Sequence, residues 1–358
     1  MTTSVSTSDI VAMRMRALLL TDNSFTNPVD VVRHLFAMQG QDFDAARWAT
    51  AIRAGTSQKP TTPSNIADAF NSGAIVRSWP MRGTVHLMCA EDIGWMQELT
   101  NPGVLKDWNK RLDYLGLTMS TYEQVRELTQ AALAEGKSLD RKDLITHFED
   151  NGIEMVQGAS YHLVWALCQN GVTVFGPMNE AGDLELVLTE EWIKAPNQYE
   201  LDEAQAEFCI RYFNGHGPAT VQDLMWWSKL PARAIKAGIK LAGDRLVELE
   251  ANGTTYYVLA EQLDAPPPTK SQLALAAFDE HLLGYKDRSL LVDPSNARKV
   301  MTINGIAQPT IVRDGRVVAT WKVRDGSFEV LEGEKLTKTQ LSAAENQIQA
   351  ARTWLGRG

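Results

Sequence analysis

Gln39 and Gln41 are two neutral amides separated by a single glycine, in the run Met38-Gln39-Gly40-Gln41-Asp42. Before them lies an apolar, helix-like stretch, Val31-Val32-Arg33-His34-Leu35-Phe36-Ala37-Met38, opened by the helix-start signal Asn27-Pro28. After them, Asp44-Ala45-Ala46-Arg47-Trp48-Ala49 begins a second helix at a good N-cap. Gly40 breaks the helical pattern and puts the amides on an extended or turning segment. In an extended segment residues i and i+2 project to one face, so both amides aim at one spot. Two amides with a common target can hold a water molecule or a base edge in a fixed orientation. The same residues also suit a plain interhelical connector, with the amides on loop carbonyls and Asp42 or Asp44 capping the next helix.

The other side chains with chemical reach are cations, aromatics and a histidine. Arg77 and Arg82 flank the tight Pro80-Met81 turn and either reach phosphates or stay solvated on a hairpin. His86, inside Thr84-Val85-His86-Leu87, either faces a site or is a satisfied core histidine. Trp226 and Trp227 are helix neighbours that point differently, so at least one belongs to the core while the other can stack on a base. Lys286-Asp287-Arg288 reads as a phosphate contact or a salt-bridged loop. Arg313-Asp314-Gly315-Arg316 is a hairpin tip with a cation on either side, suited to probing a groove or to keeping a turn soluble. Asp279, Glu280 and His281 are too closely spaced for one metal-binding helix face, so no metal site is expected. Without a GxxxxGK[ST] loop, or a GxGxxG after a strand, no cofactor is expected either.

Positioning these groups takes a chain of 358 residues, long enough for about two to four small domains. Hydrophobic content of 44% and charged content of 22% are those of a soluble globular protein. No apolar run approaches the roughly 20 residues of a membrane helix, and the N-terminus lacks the pattern of a signal peptide. Cys89, Cys168 and Cys209 are far apart and in apolar contexts, which reads as buried free thiols and a cytoplasmic location. The net charge of -9 argues against indiscriminate coating of nucleic acid but allows a local basic face.

One pattern recurs along the chain. Its clearest copy has a helix through Val221, Leu224 and Trp227 capped by Thr220, then a turn and a helix from Pro231 to about Leu241. Strands 245–250 and 254–259 follow, joined at Asn252-Gly253, a strong hairpin signal. Helix, turn, helix, hairpin is the order of a winged helix. A second copy runs from Ser138 through the helix 161–168 to strands 172–175 and 184–188. A third, less regular, has the helix 63–70 and strands 75–79 and 83–88. Repetition of a module this size suggests a tandem array with a common binding surface. Asp264-Ala265-Pro266-Pro267-Pro268 is a stiff candidate linker. Beyond it, Asp-Gly turns at 314–315 and 325–326 imply a small antiparallel sheet, closed by a polar helix from about Thr337 to Leu355.

Together, Gln39-Gly40-Gln41-Asp42, Arg77-Ser78-Trp79-Pro80-Met81-Arg82-Gly83-Thr84-Val85-His86-Leu87, Trp226-Trp227-Ser228 and the block from Phe278 to Arg288 resemble the winged-helix family that contains the AlkZ and YcaQ bacterial DNA glycosylases. The resemblance implies an α+β fold, with three tandem winged-helix modules in a C-shaped array followed by a small C-terminal antiparallel β-domain. On this sequence the modules would fall at 1–115, 116–197 and 198–264, with the β-domain at 269–358. It implies a monomer that cradles damaged double-stranded DNA and removes N-alkylated or cross-linked purines. Gln39 and Gln41 align with the two positions of its Gln-x-Gln or Gln-x-Asp catalytic motif, in the Gln-x-Gln form, with Gly40 standing where relatives tend to carry an apolar side chain.

An alkylated purine is cationic and already a good leaving group, so such an enzyme needs a placed water and tolerance of an oxocarbenium-like sugar more than a strong base. Gln39 and Gln41 suit the water, and Asp42 can supply nearby negative charge. The candidate DNA-binding residues are Arg47, Arg77, Arg82, His86, Lys286, Arg288, Arg313 and Arg316, with the cations expected on one concave face. Competing readings are a non-catalytic winged-helix DNA-binding protein, such as a transcriptional regulator, and a protein-interaction scaffold.

Overall fold

In the computed structural model, residues 3–21, 25–55, 60–156, 158–263 and 271–357 are described; the proline-rich 264–268 segment lies outside them. The fold is α+β, with a small antiparallel sheet near the C-terminus. Two compact units emerge: Met1–Ile66 with Gln205–Gly358, and Ala67–Ala204. Among the described residues no helix is long and apolar enough to cross a membrane. Cys89, Cys168 and Cys209 are all buried and free, and burial pushes the Cys168 and Cys209 thiols up to about 12.

In the first unit, Thr220 caps the helix Val221–Ser228 with a capping box closed by Asp223. Lys229 ends that helix in the left-handed region (φ 63°), and the helix Ala232–Ala242 follows. The strands Leu246–Ala251 and Thr254–Leu259 pair from Leu246↔Leu259 to Ala251↔Thr254. Asn252 and Gly253, at φ 51° and 75°, make the turn that a right-twisted two-residue hairpin requires. A feature with no local signal completes this sheet: Thr3–Ser4 adds a parallel strand, Thr3 opposite Leu249.

The C-terminal sheet has the order Phe328–Val330, Arg316–Trp321, Thr310–Arg313, Gln272–Leu275, antiparallel throughout. The helix Lys338–Trp354 lies against Gln272–Leu275, where Gln347 Nε2 donates to the Gln272 carbonyl at 2.6 Å. At the Asp314-Gly315 turn, Asp314 and Arg316 are exposed while the glycine between them packs inward. Gly315 is buried, and a Cβ there would stand 2.3 Å from Val11 Cγ1 on the helix Thr7–Ala17. Apolar packing onto that helix holds the tip down.

In the second unit, Thr84–Cys89, Ile75–Met81, Thr173–Met178 and Leu184–Leu188 form consecutive antiparallel neighbours. The compact units therefore cut across the segments 1–115 and 116–197. Arg77 pairs with Phe175, so the hairpins of the two sequence repeats share hydrogen bonds in one sheet. The helices of this unit include Trp108–Tyr114, Arg141–Asp150 and Ala159–Gln169.

Candidate active site

Asn27 caps the helix Pro28–Leu35 by accepting from the Val29 N–H at 2.9 Å. This helix stops three residues earlier than the apolar run suggests. Phe36 takes φ 70°, and its buried ring meets Phe208 at 5.2 Å and Trp227 at 6.2 Å. Burial of that ring outweighs the local cost of a left-handed non-glycine, on the order of 1 kcal/mol. The chain leaves Phe36 as the short strand Ala37–Gln39, which delivers Gln39 extended.

Gln39 is held from both ends. Its backbone N–H donates to Glu280 Oε1 at 2.9 Å, and its side-chain Nε2 donates to Gln41 Oε1. Gln39 is buried while Gln41 is exposed, so the pair spans from interior to solvent. The i, i+2 spacing expected to aim both amides at one spot brings the two side chains into direct contact with each other. Asp42, exposed, caps the helix Phe43–Arg53 by accepting from the Ala45 N–H at 3.0 Å. Asp44, which local pattern favoured as the cap, lies instead in the first turn and pairs with Arg47 and with Arg357 at 3.3 Å.

The anchor of Gln39 is a buried charged cluster. Glu280 Oε2 accepts from Trp227 Nε1 at 3.0 Å and from His216 Nε2 at 3.1 Å. His216 stacks on Tyr212 at 4.8 Å, and the Tyr285 hydroxyl donates to the His216 carbonyl at 2.9 Å. Next to Glu280, Asp279 caps the helix Glu280–Leu283 and forms a two-pronged pair with Arg53, both contacts at 2.8 Å. Arg53 also donates to the Leu18 and Ala49 carbonyls. Each of these charges is almost wholly buried, a placement that needs pairing. Sequence reading missed Glu280, His216, Trp227, Arg53 and Asp279 as positioning residues. The available signal was a run of three titratable residues beside Leu282 and Leu283, since charged side chains in an apolar segment are buried only when partnered.

His281, third in that run, donates from Nε2 to the Gly315 carbonyl at 3.0 Å, while its Nδ1 is buried with no hydrogen-bond partner. Burial pushes its pKa from the ordinary 6.5 down to about 4, although Asp279 pulls the other way. Between those values the unfolded chain binds a proton that the folded chain refuses. Its contribution to stability is therefore complete above pH 6.5 and is lost as pH falls toward 4. At about 1.4 kcal/mol per unit, the loss is on the order of 3 kcal/mol. Urea midpoints at pH 7.5 and 4.5 should converge more closely in His281→Leu than in the wild type; equal pH sensitivity would place the acid-labile group elsewhere.

The predicted DNA-binding residues separate into distinct settings. Arg47 is half-buried, paired with Asp44, its guanidinium 5.2 Å from the Phe43 ring. Lys286 is exposed, its backbone N–H donating to Asp223. Arg288 donates from Nε to the Leu282 carbonyl and lies over Trp226 at 4.6 Å, while Trp227 is the core tryptophan. Arg316 is exposed and reaches the Leu290 carbonyl at 3.5 Å, so it shares the 286–290 loop with Lys286 and Arg288. Arg313 turns away, to Glu334 at 3.4 Å and the Lys335 carbonyl.

In the second unit Arg77 lies over Phe175 at 5.5 Å. Arg82 Nη2 donates to His86 Nε2 at 3.1 Å, and His86 Nδ1 stands 2.9 Å from the Thr84 carbonyl. A carbonyl only accepts, so Nδ1 carries the proton, Nε2 is an acceptor and His86 is neutral. It is fully buried, the satisfied histidine among the two readings of that residue.

A family model described as DNA glycosylase AlkZ-like matches residues 32–354. The chain is 27% identical over 359 residues to the interstrand DNA cross-link repair glycosylase of Streptomyces sahachiroi, covering 94% of this chain and 93% of that relative. It is similar to the solved structure of the Streptomyces sahachiroi DNA glycosylase AlkZ, with a TM-score of 0.80 at 24% identity, covering 98% of this chain and 97% of that one. At that identity the structural likeness speaks for the fold. With nearly the whole chain matched, the protein belongs to the AlkZ-like DNA glycosylase family.

Proposed function

We propose that this protein is a monofunctional DNA glycosylase that hydrolyses the N-glycosidic bond of N-alkylated or cross-linked purines in duplex DNA, using a water oriented by Gln39 and Gln41. The observation that carries the reading is the amide-to-amide bond between these side chains, with the Gln39 backbone tied to buried Glu280. An amide flips easily in solution; here the Gln39 donor fixes which atom Gln41 presents. The Gln41 carbonyl oxygen has two lone pairs, so with one engaged by Gln39 the other can accept from a water O–H. That turns a water lone pair toward the anomeric carbon while neither amide changes charge. Placement of this kind is what a cationic leaving group requires, because the departing base needs little protonation.

As the purine leaves, positive charge spreads over the sugar ring. Asp42, next in the chain and exposed, puts a carboxylate near the amides where it favours that charge, in addition to capping its helix. Lys286, Arg288 and Arg316 serve as phosphate contacts beside one loop. The helix, turn, helix, hairpin units act as winged helices that grip the duplex. The direct test is single-turnover incubation with duplex carrying N7-methylguanine, followed by cleavage at abasic sites. Base release above the spontaneous rate is the expected result. Tight duplex binding without release from any alkylated or cross-linked purine would leave the non-catalytic DNA-binding reading.

A further inference from the structure

The unit Ala67–Ala204 carries a row of arginine and aromatic side chains that the Gln39–Gln41 chemistry does not use. Arg111 and Tyr114 lie on the helix Trp108–Tyr114, Arg141 opens the helix Arg141–Asp150, and Tyr161 and His162 lie near the start of the helix Ala159–Gln169. The members are joined contact by contact. The Arg111 guanidinium lies 5.2 Å from the Tyr114 ring, and its Nε and Nη2 donate to His162 Nε2 at 3.1 and 2.8 Å. His162 meets Tyr161 at 5.2 Å, and Arg141 lies over Tyr161 at 5.7 Å. Tyr114 is 79% and Tyr161 43% exposed.

Two properties of this row stand out. An Nε2 that accepts from arginine belongs to a neutral imidazole, and burial together with the nearby Arg111 holds the His162 pKa below its ordinary value. Among the described residues, Arg111 and Arg141 therefore meet rings and a neutral histidine but no carboxylate, so their charge is uncompensated. The row also continues inward: Tyr161 is edge-on to Trp79, which contacts Phe175 beneath Arg77.

We propose that the row Tyr114, Arg111, His162, Tyr161, Arg141 binds unpaired DNA, with phosphates on the arginines and unstacked bases on the tyrosine faces. Paired bases already have both faces stacked and cannot use an exposed tyrosine; unpaired ones can, whatever their sequence. An acidic protein segment would satisfy the cations but leave a 79%-exposed phenol ring without purpose. The inference rests on the reading of this chain as a DNA-acting protein but not on the glutamine pair.

The test is fluorescence anisotropy of the full chain with a labelled single-stranded decamer, an abasic decamer of equal charge, and poly-glutamate as competitor. Tyr114→Ala and Tyr161→Leu should each weaken the ordinary decamer about tenfold, and wild type should bind the abasic decamer as weakly as these variants bind the ordinary one. Arg111→Gln should weaken both decamers. Thermal melts establish that the variants are folded, and the high exposure of Tyr114 keeps that variant informative if Tyr161→Leu unfolds. Unchanged decamer binding in folded Tyr114→Ala overturns the proposal. Equal wild-type affinity for the abasic strand, or displacement by poly-glutamate at matching charge, overturns it as well. Release of N7-methylguanine from duplex, measured separately, reports on the glycosylase reading, so the failures of the two are distinguishable.

Discussion

Replacing Gln39 or Gln41 by alanine should lower base excision on the order of a hundredfold, with little change in affinity for duplex. On the proposed mechanism both amides serve a single water, so the double substitution should be hardly worse than the poorer single one. This near-saturation is the signature of groups acting as one unit. Gln41→Ala should leave folding untouched, since the side chain is exposed. Gln39→Ala should cost more, but modestly, because its anchor to Glu280 is made by the backbone and survives the substitution. Single-turnover excision beside thermal melts on the same variants reads both effects. Full activity in Gln41→Ala, or a loss that tracks melting temperature, would return the pair to the connector reading.

Breaking the Arg53–Asp279 pair should have the largest effect on stability. Both groups are buried, with side-chain exposures of 0% and 1%. Asp279→Ala strands a guanidinium in the interior and removes the cap of the helix that carries Glu280. Loss of one partner of such a pair costs about 3–5 kcal/mol. The apolar replacement of both, Arg53→Met with Asp279→Leu, should be less damaging than either single change, because no unpaired charge remains. Urea unfolding at pH 7.5 measures all three variants. A single substitution costing under about 1 kcal/mol would show that water reaches the pair. Excision should fall in Asp279→Ala even where the protein remains folded, since the helix that positions Glu280, the acceptor of the Gln39 backbone N–H, loses its cap.

Local pattern was enough for much of the architecture. The hairpin at Asn252-Gly253, the cap at Thr220, the Asp-Gly turn at 314–315 and the closing helix from Lys338 all rest on signals within four residues, and the structure has each of them. The amide pair was legible too, because i, i+2 projection in an extended segment is itself local. What local pattern misplaced was settled by distant partners. The helix Pro28–Leu35 stops where it does because the Phe36 ring is buried against Phe208 and Trp227, both far along the chain.

The sequence by itself determined that this is an AlkZ-like chain, with two amides set to one face between two helices. Only the tertiary structure decided what aims them. Gln39 hangs on Glu280, which is 241 residues away, and Glu280 is steadied by His216, Trp227 and the neighbouring Arg53–Asp279 pair. No window of sequence contains that contact. Buried charges are stable only where their partners converge, and convergence across such a separation is a property of the folded chain. The same reason fixes the Arg313–Arg316 tip against the first helix and joins the hairpins of two repeats in one sheet. Apolar burial and backbone pairing between remote segments outweigh what each segment prefers alone.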